Sequence, residues 1–282
     1  MVSNHCHIRP MTRGELDIAV DWAAAEGWNP GLYDADCFYH ADPTGFLMGF
    51  LDGEPLASIS AIKYGDSFGF IGFYIVKPEF RGQGHGLALW HAALESLKGR
   101  NVGLDGVVAQ QENYVKSGFS LAYRQIRYEG LGGGISAASS CTPLAALPVE
   151  KVVEYDRQFF PEVRSHFIQC WVIQPHHHAI AIVKEQTLVG YGVLRPCRSG
   201  YKIGPLFADT ATMADAIFRT LVANVPPGQP FYLDVPEVNS AAIALAEHYE
   251  MRCVFETARM YTQSAPQLPL NKIFGVTTFE LG

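Results

Sequence analysis

VKPEFRGQGHGLALW, residues 76–90, decides how the rest of the chain is read. The apolar run FGFIGFYIV (68–76) predicts a strand, and Pro78 and Arg81 follow it. Gly82, Gly84 and Gly86 then alternate, and Leu87, Trp90, Leu94 and Leu97 recur at the three- and four-residue steps of a helix over 86–98. Such a junction either makes a tight turn or holds an anion on bare backbone. Glycines permit the required conformations, the helix start aims its N–H groups and positive dipole end at the loop, and Arg81 adds charge. A Walker loop is excluded, because Gly-Lys-Ser/Thr is absent. A dinucleotide turn fits poorly: Lys77 to Arg81 separate the strand from the first glycine, and Leu87 occupies the third glycine's place. On spacing alone, both the structural turn and the phosphate cradle stand.

The chain has 282 residues, 48% of them hydrophobic, a net charge of -7 and no run of Lys or Arg. That length suits two domains. The acidic balance argues against nucleic acid or an anionic membrane as partner. No stretch nears the ~20 apolar residues of a membrane helix. The start, MVSNHCHIRPMTRGELD, lacks the apolar core of a signal peptide, so a cytoplasmic setting is expected. Cys6, Cys37, Cys141, Cys170, Cys197 and Cys253 stand far apart without a CxxC, which reads as reduced thiols. His176, His177 and His178 have no Cys or acidic partner at ligand spacing. They read as a solvated turn after Pro175, and no metal is expected.

The Gly/Ser/Ala-rich stretch GLGGGISAASSCTP (130–143) marks a flexible connector. The expected division is 1–130, a linker over 131–145, and 146–282. The two halves resemble each other: Leu56 aligns with Leu188 and Gly72 with Gly204, both offset by 132, and Asp105 aligns with Asp234, offset by 129. A duplicated fold follows. In the first half HIRPM predicts a strand, Thr12 and Glu15 a capping box for a helix to about Glu26, and residues 45–76 a meander of strands. After the 86–98 helix, VGLDGVV and FSLAYRQIRY predict strands flanking a short helix that ends at Gly118. The fold class is α/β, a mixed sheet with helices.

V-x-P-x-x-R-G-Q-G-H-G (76–86) resembles the acetyl-coenzyme A pyrophosphate loop of the GNAT N-acetyltransferase superfamily, whose pattern is Arg/Gln-x-x-Gly-x-Gly/Ala. NYVKSGF (113–119) resembles the family's Tyr-x-x-x-Gly-Phe, and with the strand, helix and strand around these motifs the match covers about 65 residues in the family's order. The resemblance implies two tandem GNAT-like α/β sandwich domains, with acetyl-CoA as co-substrate of the first. It implies that the strand before the loop splays from its neighbour and that Ile75 and Val76 bond the pantetheine arm. Gly82, Gln83, Gly84, His85, Gly86 and Leu87 are then expected to offer N–H groups to the pyrophosphate, beside Arg81. The amine attacks the thioester directly in a ternary complex, so proximity supplies most of the acceleration. Tyr114 matches the general acid that protonates the leaving thiolate, a task suited to a phenol of pKa about 10; the alternative is that it merely packs. His85 reads as a backbone donor rather than a base.

No base is assigned. FGFIGFYIV carries no carboxylate, and Asp105 and a water chain both remain open. Against Asp105, its counterpart Asp234 belongs to a half without the loop, which suggests a shared structural role. There the loop is replaced by LFADTATMADAIFRTL, with neither arginine nor glycine before the helix. Asn239, Ala242 and Leu245 fit the family's Asn-x-x-Ala-x-x-Leu-Tyr, but Ala246 takes the tyrosine's place and Glu250-Met251 that of Gly-Phe. Coenzyme binding is not expected in that half.

The resulting expectation is an N-acetyltransferase acting on a primary amine, small-molecule or peptide, with a degenerate second half shaping the acceptor site. The rival is a non-catalytic acyl-CoA-binding sensor. Residues 26–46, with Trp28, Tyr33, Phe38, Tyr39 and Phe46 among Asp34, Asp36 and Asp42, either line that site or form a capped surface loop. The tail NKIFGVTTFELG (271–282) predicts a strand. The first half has no second strand after FSLAYRQIRY, so its sheet edge needs cover. The second half is expected to supply it, with the tail strand or by packing across.

Overall fold

A computed structural model describes residues 6–282; the reading of the N-terminus as leaderless falls partly on residues 1–5, which lie outside the described residues. The first half runs β1 (His7–Pro10), α1 (Arg13–Ala25), α2 (Asp34–Ala41), β2 (Phe46–Leu51), β3 (Glu54–Tyr64), β4 (Phe68–Val76), α3 (His85–Ser96), β5 (Asn101–Val107), α4 (Gln111–Lys116) and β6 (Ser120–Leu131). The second runs β7 (Thr142–Pro143), α5 (Val149–Asp156), α6 (Ser165–Trp171), β8 (His178–Lys184), β9 (Thr187–Pro196), β10 (Tyr201–Ala208), α7 (Ala211–Val222), β11 (Pro230–Pro236), α8 (Ser240–His248), β12 (Arg252–Tyr261) and β13 (Ile273–Gly275). The capping box forms as its sequence predicts. Thr12 Oγ1 accepts from the Glu15 N–H at 3.3 Å, and the Glu15 carboxylate accepts from the Thr12 N–H at 2.8 Å.

The strands join in one mixed sheet, ordered β1-β2-β3-β4-β5-β12-β6-β11-β10-β9-β8-β7, with β13 paired to β10. Neighbours are antiparallel except β4 with β5 and β10 with β11, one parallel pair in each half. Strand β12 lies between β5 and β6, and β6 lies between β12 and β11. Each half's last long strand is therefore docked in the other half's sheet. The edge left by β5 is covered, but by β12 rather than by the tail.

The tail forms a strand only over Ile273–Gly275, shorter than its sequence predicts. Beyond it the chain is buried without ladder pairing, because its backbone groups go to scattered partners. Val276 N–H donates to Asp234 O at 2.9 Å, and the Leu281 and Gly282 carbonyls accept from Tyr64 Oη at 3.1 Å and Arg164 Nη1 at 2.9 Å.

One apolar core spans both halves around Phe38, Phe73, Trp171 and Phe207. Phe38 on α2 stacks on Trp171 of α6, with ring centroids 6.0 Å apart. Here the expectation of reduced thiols is corrected for one pair: Cys37 and Cys170 form a disulfide between these two helices, with Cα atoms 5.2 Å apart. Their separation of 133 residues hid the pairing, which arises because duplicated helices pack against each other. Cys6, Cys141, Cys197 and Cys253 are free thiols. Among the described residues no helix is long and apolar enough to cross a membrane.

Candidate active site

Strands β4 and β5 pair only from Phe68–Asn101 to Ile71–Leu104, and then diverge. The cause is visible on the other side of β4. Three steps from Gly72 to Ile75 face two steps from Ser60 to Ser58, so β4 bulges. Phe73 takes a positive φ of 48° at the bulge, and Ser58 Oγ donates to its carbonyl at 2.8 Å. Residues 72–76, Ile75 and Val76 among them, thus have β3 on one side and open space on the other. That opening belongs to a cleft of about 790 Å³.

The glycine loop stands at the cleft mouth. Gly82 and Gly84 have φ of 75° and 87°, and a Cβ at either would meet nothing within 4 Å. Their reason is backbone conformation, with open space above. Gly86 has a different reason: a Cβ there would approach Tyr74 Oη to 2.8 Å and Val76 Cγ2 to 2.9 Å. Gly84 is the N-cap of α3 and no side chain caps that end, so the N–H groups of His85, Gly86 and Leu87 start the helix uncovered. Gln83 Nε2 turns away to the Glu79 carbonyl, at 2.9 Å, and the His85 ring packs edge-on to Phe80 at 6.3 Å. Arg81 is tied down: Nε donates to Val76 O at 2.8 Å, and Nη2 meets Glu26. Leu87 is 58% exposed on the cleft rim, whereas Leu89, Trp90 and Ala93 form the buried face of α3, with Leu97 buried just past its end. The sequence periodicity put Leu87 on that face; the first helical turn overhangs the cleft instead.

Tyr114 on α4 lies across the cleft from the loop. Its ring occupies the space above Gly106, where a Cβ would collide with it, and lies 5.6 Å from the Trp90 ring. Burial, with a smaller contribution from Tyr74, pushes its hydroxyl up to about 12. Among the described residues that hydroxyl has no hydrogen-bond partner, although it is part of the cleft wall.

Asp105 also lines the cleft, but both its oxygens are taken by Arg259 of β12, at 2.7 and 2.6 Å. Asp234 is held the same way by Arg127 of β6, at 2.7 and 2.8 Å. The two aspartates share one structural role across the exchanged strands. Segment 26–46 divides: Glu26 and Trp28 line the cleft, while Phe38 and Phe46 are core. Its aspartates are engaged elsewhere, Asp34 with Arg195, Asp36 with Arg13 and Asp42 with Lys63.

The second half has the same splay, but filled. Strands β10 and β11 pair only over Tyr201–Ile203, and β13 then bonds to Leu206 and Phe207 in the gap. Asn239 Nδ2 pins the plug through Ile273 O at 2.9 Å. The α7 start is closed as well, since the Thr210 hydroxyl accepts from the Met213 N–H at 3.3 Å. Among the described residues no cluster of His, Cys, Asp and Glu has metal-holding geometry.

Known proteins resemble this chain in sequence and in fold. The acetyltransferase (GNAT) family model matches residues 15–119, and an acetyltransferase (GNAT) domain model matches residues 152–275. Holothin acyltransferase of Pseudoalteromonas sp. (strain SANK 73390) is 32% identical over 275 residues, covering 97% of this chain and 94% of its own. Among solved structures, a Pyrococcus horikoshii protein of proposed acetyltransferase activity superposes with a TM-score of 0.85 at 22% identity, over 100% of this chain and 98% of that one. A tandem GNAT protein from the clavulanic acid biosynthesis pathway gives 0.66 at 13% identity, over 93% and 100%. These two are likenesses of fold.

Proposed function

The chain belongs to the GNAT family of acyltransferases, and from that premise we propose that it moves an acetyl group from acetyl-CoA to a primary amine, by direct transfer in a ternary complex. The observation that carries this reading is the cleft between β4 and β5, open at an uncapped, glycine-built helix start and walled by Tyr114. The α3 N-terminus with Gly82 to Leu87 supplies donors and dipole for the pyrophosphate. Arg81 shapes the loop through Val76 and Glu26 and adds charge beside the anion. The cleft side of β4 at Ile75 and Val76 serves the pantetheine arm, which meets a Val76 carbonyl that already accepts from Arg81. Tyr114, kept protonated by burial, donates to the departing thiolate. Residues 1–130 are the acetyl-CoA-binding GNAT domain, 131–145 connect the halves, and 146–282 are a GNAT-like unit without coenzyme, its own splay plugged by β13.

The test is thiol release on mixing the protein with acetyl-CoA and a panel of acceptors. The panel holds holothin, named for the Pseudoalteromonas relative, with benzylamine, amino acids and short peptides. Acceptor-dependent CoA release and an N-acetylated product by mass spectrometry are expected. Release with no amine of the panel, by a protein that binds acetyl-CoA, overturns the amine reading.

A further inference from the structure

The inner end of the cleft is closed by the second half. Phe255 and Thr257 of β12 reach it, and so do Phe279 and Glu280 of the tail. The Glu280 carbonyl rests against Gly72, the residue before the β4 bulge, where any Cβ would collide with it. Tyr64 and Arg164 fix the next two residues through their carbonyls, at 3.1 and 2.9 Å. Glu280 is thus placed where β4 and β5 part.

Three carboxylates line the cleft: Glu26, Asp105 and Glu280. Glu26 is bound to Arg81 at the mouth, and Asp105 gives both oxygens to Arg259. Glu280 differs. It is 4% exposed, yet among the described residues no cation lies within ion-pair distance. Its Oε2 accepts from the Thr278 hydroxyl, while Oε1 has no protein partner and is not sealed from solvent. A buried carboxylate on a cleft-lining residue, with one oxygen free of protein partners and Arg127, Arg195 and Lys202 acting on it only at longer range, is available to an ammonium group or its proton.

We propose that Glu280, delivered by the second half, receives the acceptor amine and acts as its general base. The inference rests on the N-acetyltransferase reading above. The ammonium gives one proton to Glu280, and the freed lone pair attacks the thioester carbon. The C–N bond forms and the C–S bond breaks, its electrons leaving with sulfur, which takes the Tyr114 proton. The amide nitrogen loses its extra proton through water to the Tyr114 phenolate, and Glu280 releases its own to solvent. The residue absent from the strands at the splay is thus supplied by a segment about 200 residues downstream, and the second half becomes part of the catalytic site.

The experiment uses the full chain with the best acceptor of the panel. Glu280→Gln keeps size and polarity but cannot take the proton. We expect kcat to fall at least 100-fold with the acetyl-CoA Kd within twofold of wild type, and Glu280→Asp to recover part of the rate. Wild-type turnover in Glu280→Gln overturns the inference while the acetyltransferase reading stands. A rate loss accompanied by equal loss of acetyl-CoA affinity or of thermal stability in both variants also overturns it, since Glu280 then only holds the tail. If the wild-type chain acetylates no amine, both readings fall together.

Discussion

Asp105 on β5 and Arg259 on β12 stand opposite each other in register and share two hydrogen bonds, and Asp234 on β11 meets Arg127 on β6 in the same fork. Each half's aspartate is thereby held by the other half's arginine. The duplicated pair is a clasp between the halves, and both members of each pair are at most 7% exposed. Removing one partner strands a buried charge, a loss of about 3–5 kcal/mol. Arg127→Met is therefore expected to lower stability by that amount, with both halves unfolding in one transition. Urea titration followed by tryptophan fluorescence and by acetyl-CoA binding checks this; two separated transitions would show that the clasp does not couple the halves.

Acid should loosen the Asp234–Arg127 member of the clasp. Burial raises the Asp234 carboxyl, but the Arg127 charge and hydrogen bonds more than offset it, so it titrates below the usual range. A lowered folded pKa means stability that is fully present above the unfolded value of about 3.9 and lost as pH falls through the folded one. Melting temperatures should hold from pH 7 to about 5 and drop below about 4. The double variant Asp234→Asn/Arg127→Gln should show a shallower drop. An identical acid slope in both proteins would place the acid-sensitive groups elsewhere.

Much of this was legible. Gly82, Gly84 and Gly86 announce the loop because backbone conformation is a local property, and the strand, helix and Tyr114 follow at fixed spacing. The offset of Asp105 and Asp234 already pointed to a shared structural role. Strand exchange was not legible: β12 carries the same alternation whichever half it joins, so its partner is a matter of tertiary pairing. Glu280 was missed for a related reason. A lone acid in an apolar tail has no local signature, and only the path of 276–282 past Gly72 brings it to the cleft. The signal available was the run IFGVTTFEL itself, too apolar for an exposed segment. Cys37 and Cys170 met through helices whose packing no spacing rule encodes.

At the loop, Gly84→Val imposes a branched side chain at φ 87° and fills the open space before the α3 start. Acetyl-CoA affinity should fall roughly 10-fold or more, about 1.4 kcal/mol. Calorimetry on the wild type should give one coenzyme per chain, because β13 and Thr210 occupy the second half's equivalents. Unchanged affinity in folded Gly84→Val, or a second site in the wild type, contradicts this assignment.

Tyr114→Phe removes one hydroxyl from the cleft wall and leaves the ring above Gly106. Turnover should drop 10- to 100-fold with coenzyme Kd nearly unchanged, the pattern of an interaction made only in the transition state. With its hydroxyl pushed up to about 12, wild-type Tyr114 stays protonated across ordinary assay conditions. The kcat profile should therefore show no alkaline loss near pH 10. Wild-type turnover in Tyr114→Phe would mean that water protonates the thiolate.

The exchange makes a sharper demand on fragments. Residues 1–130 contain β1 to most of β6 but lack β11 and β12, so β5 would lose one ladder neighbour and β6 both, and each would lose its partner in the clasp. Arg127 would lose Asp234, Asp105 would lose Arg259, and the cleft would lose Phe255, Thr257, Phe279 and Glu280. Unpaired edges of this length promote association. Expressed alone, 1–130 should be insoluble or inactive, and co-expression with 131–282 should restore soluble, acetyl-CoA-binding protein through β12 and β6. A soluble, monomeric and fully active 1–130 would show that the first half closes its own sheet and that the second half's residues are dispensable to the cleft.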